Sequence, residues 1–215
     1  VQAPAMAAEA TLRGAHGLDL PASFTGTLPC ADCAGIRYHL DLWPDQVYHL
    51  RREWLGDAPA RRRDEIGRWH ADPARGAIVL AGGSEGAEFW SVEGADRLRL
   101  MDRDGRPIES GLPYEITASA GIAPTELALP VTGVFKAAAG AGTASFRECI
   151  SGRRYAVEDA GDRVALERAG RAAGAGPGDP FLAVIEGRIA TRPGAGGVPR
   201  RSVALRRLVA AWPGE

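Results

Sequence analysis

Two of the three cysteines in this 215-residue chain stand three positions apart, at Cys30 and Cys33. Two sulfurs at that spacing have three chemistries open to them. They can close a small disulfide, exchange electrons with another thiol pair, or hold a soft cation such as copper(I) as thiolates. A structural zinc site wants four ligands, and no second CxxC is present to complete one. A thioredoxin-type centre places its nucleophilic cysteine at a helix N-terminus after a strand. Here Pro29 precedes the pair and a strand-like run follows it. Disulfide clamp, metal capture and redox exchange all stay open at this point.

A second constellation is His39, Asp41 and His49. If the run Ile36–Trp43 pairs with Val47–Trp54 across the turn Pro44-Asp45-Gln46, Leu42 meets Tyr48 and Leu40 meets Leu50. That register matches apolar to apolar, and a one-residue slip would destroy it. It sets Asp41 opposite His49 and His39 diagonal to it. The three polar groups then share one sheet face, as a metal- or proton-handling cluster or as a solvated face with one cross-strand ion pair. His16 and His70 have no assignable partner.

Other matches to reactive patterns fail on spacing. Asp102-Arg103-Asp104-Gly105 begins like a calcium loop, but Glu109 falls four positions after Gly105 where six are needed, so a β-turn is expected. Gly82 to Gly86 lacks the Lys-Ser/Thr ending of a phosphate loop. No Gly-x-Ser-x-Gly or His-Glu-x-x-His is present. The expectation is a protein that is not an enzyme. Cys149 has no third-cysteine partner and reads as a small buried hydrophobe.

The elements that must position these residues are short strands. Ile36, Tyr38, Leu40 and Leu42 alternate with polar positions, the period of a half-buried strand. Similar runs at Ser23–Thr27, Val47–Trp54, Glu65–His70, Ala77–Leu80, Ala87–Val92, Arg97–Met101 and Pro113–Thr117 are separated by Gly- and Asp-bearing turns. Residues 56–64 read as a polar loop. About eight strands and no helix suit an antiparallel barrel of lipocalin type, with Trp43, Trp54, Trp69, Trp90 and Tyr114 as its packing. After a Pro- and Gly-bearing stretch, the second half offers Val131–Lys136, Thr143–Cys149, Arg154–Val157, Phe181–Ile189 and Ser202–Val209 as strands. A helix over 162–173, with Val164, Leu166 and Ala169 inward, falls between the third and fourth. That order is OB-like. The expected division is a flexible tether over 1–21, a barrel with CxxC over 22–118, a linker over 119–130 and an OB-like domain over 131–212.

Composition narrows the partners. The formal net charge is −1, with no run long enough to span a membrane as a helix. Residues 1–120 carry 13 basic and 18 acidic side chains, and residues 121–215 carry 13 and 9. The split supports a domain boundary but is too small to argue for a nucleic-acid protein, and no nucleic acid is expected as a partner. No basic-then-apolar leader opens the chain at Val1.

The segment Thr25-Gly26-Thr27-Leu28-Pro29-Cys30-Ala31-Asp32-Cys33-Ala34-Gly35-Ile36 resembles the opening of the NlpE (CutF) family of bacterial envelope lipoproteins, which is linked to copper homeostasis. Ile66-Gly67-Arg68-Trp69 resembles that family's Gly-x-Trp strand, and Leu100 to Ser110 its Leu-x-Asp-x-x-Gly-x-Pro-Ile-x-Ser segment. The likeness runs from about Phe24 to Ile116 and is weaker beyond. It implies a β-barrel followed by an OB-like domain, and an outer-membrane lipoprotein whose leader and lipidated cysteine lie outside this chain. It also implies a role in copper tolerance and in reporting envelope stress to a signalling sensor protein. On that resemblance, copper joins the soft pair Cys30 and Cys33, with His39 and His49 as auxiliary candidates. Two rivals remain: a lipocalin-like carrier of a small apolar ligand, and a thiol-disulfide redox protein.

Overall fold

The structure is a computed structural model and describes residues 16–56, 59–83, 85–138, 144–158, 163–193 and 199–213. The chain divides into two compact units, residues 1–125 and 126–215.

The first unit is built from β1 (Ala22–Leu28), β2 (Gly35–Leu42), β3 (Val47–Leu55), β4 (Arg61–Asp72), β5 (Ala77–Ala81), β6 (Glu88–Val92), β7 (Arg97–Leu100) and β8 (Glu115–Ala118). Each strand pairs antiparallel with the next, and β8 returns to β1 to close the barrel. The β2–β3 register is the one apolar matching demands: Leu42 faces Tyr48, Asp41 faces His49 and Leu40 faces Leu50. Alternation then decides the rest. Phe24, Leu40, Leu50, Ile78, Leu80, Trp90, Leu98 and Ile116 point inward and are fully or almost fully buried. The interior is therefore filled with side chains, which weighs against the carrier rival: a barrel of this size holds either its own core or one small ligand.

Three sequence expectations change. Arg61 to Asp64 belong to β4 rather than to a loop, because Trp54 to Arg51 extend far enough to pair with them. The tether cannot reach residue 21: Leu18 and Leu20 are buried in the barrel core. Residues 119–125 are not a free linker either. Ser119 N–H donates to the Ser23 carbonyl at 2.8 Å and Thr125 is buried, so this segment lies along the first barrel.

The second unit holds β9 (Leu127–Lys136), β10 (Ser145–Glu148), β11 (Arg154–Glu158), α1 (Arg163–Ala172), β12 (Phe181–Pro193) and β13 (Pro199–Pro213). Its strand order is closed as β10-β11-β13-β12-β9, with β11 and β13 parallel and the other pairs antiparallel. That is the five-stranded OB arrangement, with α1 after the third strand. The helix is turned from the expected face. Val164 is 62% exposed, while Leu166 and Gly170, one turn apart, face the barrel. Gly170 sets this rotation, since a Cβ there would lie 2.4 Å from the Phe181 ring.

Candidate functional site

The cysteine pair sits in residues 29–34, between the last β1–β2 pair, Leu28 and Ile36, and the rest of the rim. Gly35 leads the chain out of this turn with φ +144, where a Cβ would meet Thr27 Cγ2 at 2.8 Å. Only glycine satisfies that conformation and that approach together. Ala34 N–H donates to the Leu55 carbonyl at 3.0 Å, pinning the turn to β3. Within it, Cys30 and Cys33 form a disulfide with Cα atoms 5.3 Å apart. Both cysteines are half-buried and Asp32 is exposed. Asp32 Oδ1 lies 3.2 Å from Cys30 Sγ. With the disulfide closed, that contact involves no S–H donor. The ligand atoms of Cys30, Asp32 and Cys33 lie within 4.8 Å of one another. No helix N-terminus adjoins the pair, because strands flank it on both sides.

The histidines do not join this cluster. His39 is six residues along β2 from Cys33, about 20 Å at the rise of an extended strand. It belongs to a different assembly with a different task. Asp41 is fully buried and accepts hydrogen bonds from Ser23 Oγ at 2.6 Å and from Thr125 N–H at 2.9 Å. His39 Nε2 lies 3.2 Å from Asp41 Oδ1 and 2.9 Å from the Ala123 carbonyl. Both contacts suit a protonated Nε2. Ala123 N–H in turn donates to Ser23 Oγ at 3.0 Å. The hydrogen bond to Asp41 holds the His39 pKa above its ordinary value, against the opposing effect of burial. Asp41 therefore latches residues 119–125 onto the outer face of β1 and β2. The solvated face expected here is covered, and the ion pair forms with His39 two residues away. His49 is fully buried and packs edge-on against Trp43, with ring centroids 5.8 Å apart. His16 packs edge-on against Trp69 at 5.2 Å, and burial lowers its pKa.

A polar network inside the barrel escaped the sequence reading. Arg52 NH1 lies 3.2 Å from Glu65 and its NH2 2.6 Å from Glu88. Tyr48 O–H donates to Glu65 at 2.6 Å, and Trp90 Nε1–H donates to Glu88 at 2.8 Å. Burial raises the Glu88 pKa, with Arg52 opposing. Burial and the Glu88 charge push Tyr38 up to about 12. Burial disfavours a charged Arg52, yet Glu88, Tyr38 and Glu65 hold its pKa above the ordinary value. The signal was there: Tyr48, Leu50 and Arg52 share one face by alternation, as do Glu65, Gly67 and Trp69. Gly67 makes room for the stack, since a Cβ there would lie 2.6 Å from the Tyr48 ring. The network sets one guanidinium between two carboxylates and serves the fold.

The remaining sequence candidates resolve simply. Asp102 Oδ1 accepts from the backbone N–H of Asp104 and Arg106, and Gly105 N–H donates to the Asp102 carbonyl at 3.0 Å, so the segment is a turn. Cys149 is exposed rather than buried, because it falls in the turn after β10. No helix among the described residues is long and apolar enough to cross a membrane.

Comparison with known proteins places these features in one family. The NlpE N-terminal domain model matches residues 24–111, and the NlpE C-terminal OB domain model matches residues 126–206. Lipoprotein NlpE of Escherichia coli (strain K12) is 32% identical over 170 residues, covering 78% of this chain and 68% of the relative. The crystal structure of the Cpx pathway activator NlpE from Escherichia coli is 26% identical and covers 91% of this chain and 96% of its own, with a TM-score of 0.36. With both domain models matched in order, the filled eight-stranded barrel bearing the CxxC turn followed by the five-stranded OB barrel, this chain belongs to the NlpE family.

Proposed function

We propose that this protein is an envelope lipoprotein that senses stress and copper through its first barrel, signals to a partner sensor protein, and is not an enzyme. The observation that carries the reading is the Cys30–Cys33 disulfide in a surface turn with the Asp32 carboxylate beside it. The relatives lend the context. One is named a lipoprotein, and the crystallised one is described as a Cpx pathway activator. A half-buried disulfide in a surface turn of a barrel with a filled core offers a chemical state that can change without unfolding the barrel.

The closed disulfide does not fit copper, because it has no thiolate to donate. A dithiol donor would convert it by two-electron exchange: the Cys30–Cys33 bond breaks, the donor's two sulfurs bond, and two protons pass to the pair. Copper(I) binding would release those two protons to solvent, and the thiolates so formed, three residues apart, would hold it as a soft cation at low coordination number. Asp32, a hard oxygen donor, would contribute charge more than coordination. His39 and His49 are occupied elsewhere and take no part.

The test is a copper(I) titration against a chelating competitor such as bicinchoninate. It compares reduced protein, oxidised protein and a Cys30→Ser/Cys33→Ser variant. Reduced wild type should take copper from the chelator with a stoichiometry of about one, as one thiolate pair allows. The other two should not. Equal binding by all three, or none by the reduced protein, would reduce the pair to a clamp.

A further inference from the structure

The OB barrel carries an open groove of about 950 Å³ on its outer face that none of the foregoing uses. Its floor follows from strand pairing. Arg154 of β11 pairs with Arg147 of β10, Arg147 with Val134 of β9, Val134 with Leu182 of β12, and Leu182 with Trp212 of β13. Directly paired residues project from the same face of a sheet, so these five side chains form one row across all five strands. Their inward-facing neighbours Phe135, Phe146, Phe181 and Ala183 are buried in the core, which confirms that the row faces outward. At about 4.8 Å per strand, the row is about 19 Å long.

The row is graded. Two guanidinium groups stand at one end, two half-buried aliphatic side chains in the middle, and the Trp212 indole, 46% exposed, at the other. Lys136 adds a third cation to the groove, whose lining contains no carboxylate. Like charges directly opposite on adjacent strands destabilise a sheet, so the Arg147–Arg154 pair is a cost to the fold. The adjacent carboxylate does not relieve it: Glu148 is buried and accepts from the backbone N–H groups of Ile150 and Ser151. Among the described residues no ion pair reaches Lys136, Arg147 or Arg154.

We propose that this groove docks an extended acidic segment of a partner protein, with a carboxylate at Arg147 and Arg154 and a large apolar side chain at Leu182 and Trp212. Three strand spacings separate Arg147 from Trp212, about 14 Å, which an extended peptide covers in about four residues. The segment thus reads acidic, then apolar about four positions later. Charge complementarity selects the acidic end, and the Val134–Leu182–Trp212 strip selects the apolar one. A single nucleic-acid strand fits less well, because one aromatic makes a poor stacking platform. The open trough also lacks the enclosure of a small-molecule site. This site is independent of the cysteine turn.

Fluorescence anisotropy on the full chain tests the proposal, with fluorescein-labelled Asp-Glu-Ser-Val-Ser-Phe as probe and Lys-Lys-Ser-Val-Ser-Phe and a dT12 oligonucleotide as controls. The acidic peptide should bind saturably at physiological salt. Arg147→Glu/Arg154→Glu should weaken it about tenfold or more, and Trp212→Ala should weaken it similarly. The charge-reversed variant should bind the Lys-Lys peptide better than wild type does, a gain that misfolding cannot produce. The proposal is overturned by absent saturation, by equal wild-type affinity for both peptides, or by charge reversal without effect. Tighter binding of the oligonucleotide than of the acidic peptide also overturns it.

Discussion

Replacing Arg52 by Met removes the one cation that the barrel interior sets between two carboxylates. Its side chain is 5% exposed, Glu65 is 11% exposed and Glu88 is 20% exposed. Breaking a buried pair by deleting one partner costs about 3–5 kcal/mol, because the remaining charge is left uncompensated. Two features place this case near the lower end. Glu88 retains some access to water, and the Tyr48 hydroxyl and Trp90 N–H still donate to the two carboxylates. The expected loss is about 3 kcal/mol, or about 1.5 M in the urea midpoint for a typical slope. Tryptophan fluorescence reports it directly, since Trp43, Trp54, Trp69 and Trp90 all lie in the first barrel. The pH dependence gives a sharper check. Burial already raises Glu88, and Arg52 is what restrains the rise. Without Arg52 the folded-state pKa climbs further above the unfolded value. A carboxyl so raised stabilises the fold below its unfolded pKa and loses that contribution as pH rises through the folded pKa. The deficit of Arg52→Met should therefore be larger at pH 8 than at pH 5, and adding Glu65→Gln and Glu88→Gln should recover much of it. A loss under about 1 kcal/mol, or one independent of pH, would refute a desolvated network.

The cysteine turn should be a weak clamp. Its disulfide joins residues at a sequence separation of 3, so it constrains little unfolded chain and contributes about 2 kcal/mol. Cys30→Ser/Cys33→Ser and dithiothreitol-treated wild type should both unfold cooperatively, with similar modest shifts in urea midpoint. The latch on residues 119–125 should respond to pH. His39 has a raised folded-state pKa, so its contribution is complete below the unfolded value and is lost as pH rises through the folded one. Limited proteolysis near Gly121 should accelerate on going from pH 6 to pH 9 in wild type. In His39→Gln the rate should be high and nearly flat, and in Asp41→Ala higher still at both pH values.

Much of this protein was legible from local pattern. Alternation in Ile36 to Leu42 and Val47 to Leu50 set both strands, and the need to match Leu40 with Leu50 set their register. Period two and turn residues are short-range signals, so eight strands, then three more, a helix and two more, followed without long-range information. The CxxC turn was visible because both sulfurs lie within one loop. What tertiary structure decided depends on contacts between distant residues. Asp41 looked like a surface acid until residues 119–125 folded back over it, a contact across 84 positions. The sequence reading did not single out Arg52, and only barrel closure brought Glu88 from β6 to meet it. The helix face turned on Gly170 because the Phe181 ring occupies the space beside it. The row from Arg154 to Trp212 joins residues that are far apart in the chain and become neighbours only when β9 pairs with both β10 and β12. Sequence period determines which way a side chain points. Closure of the sheet determines what it meets.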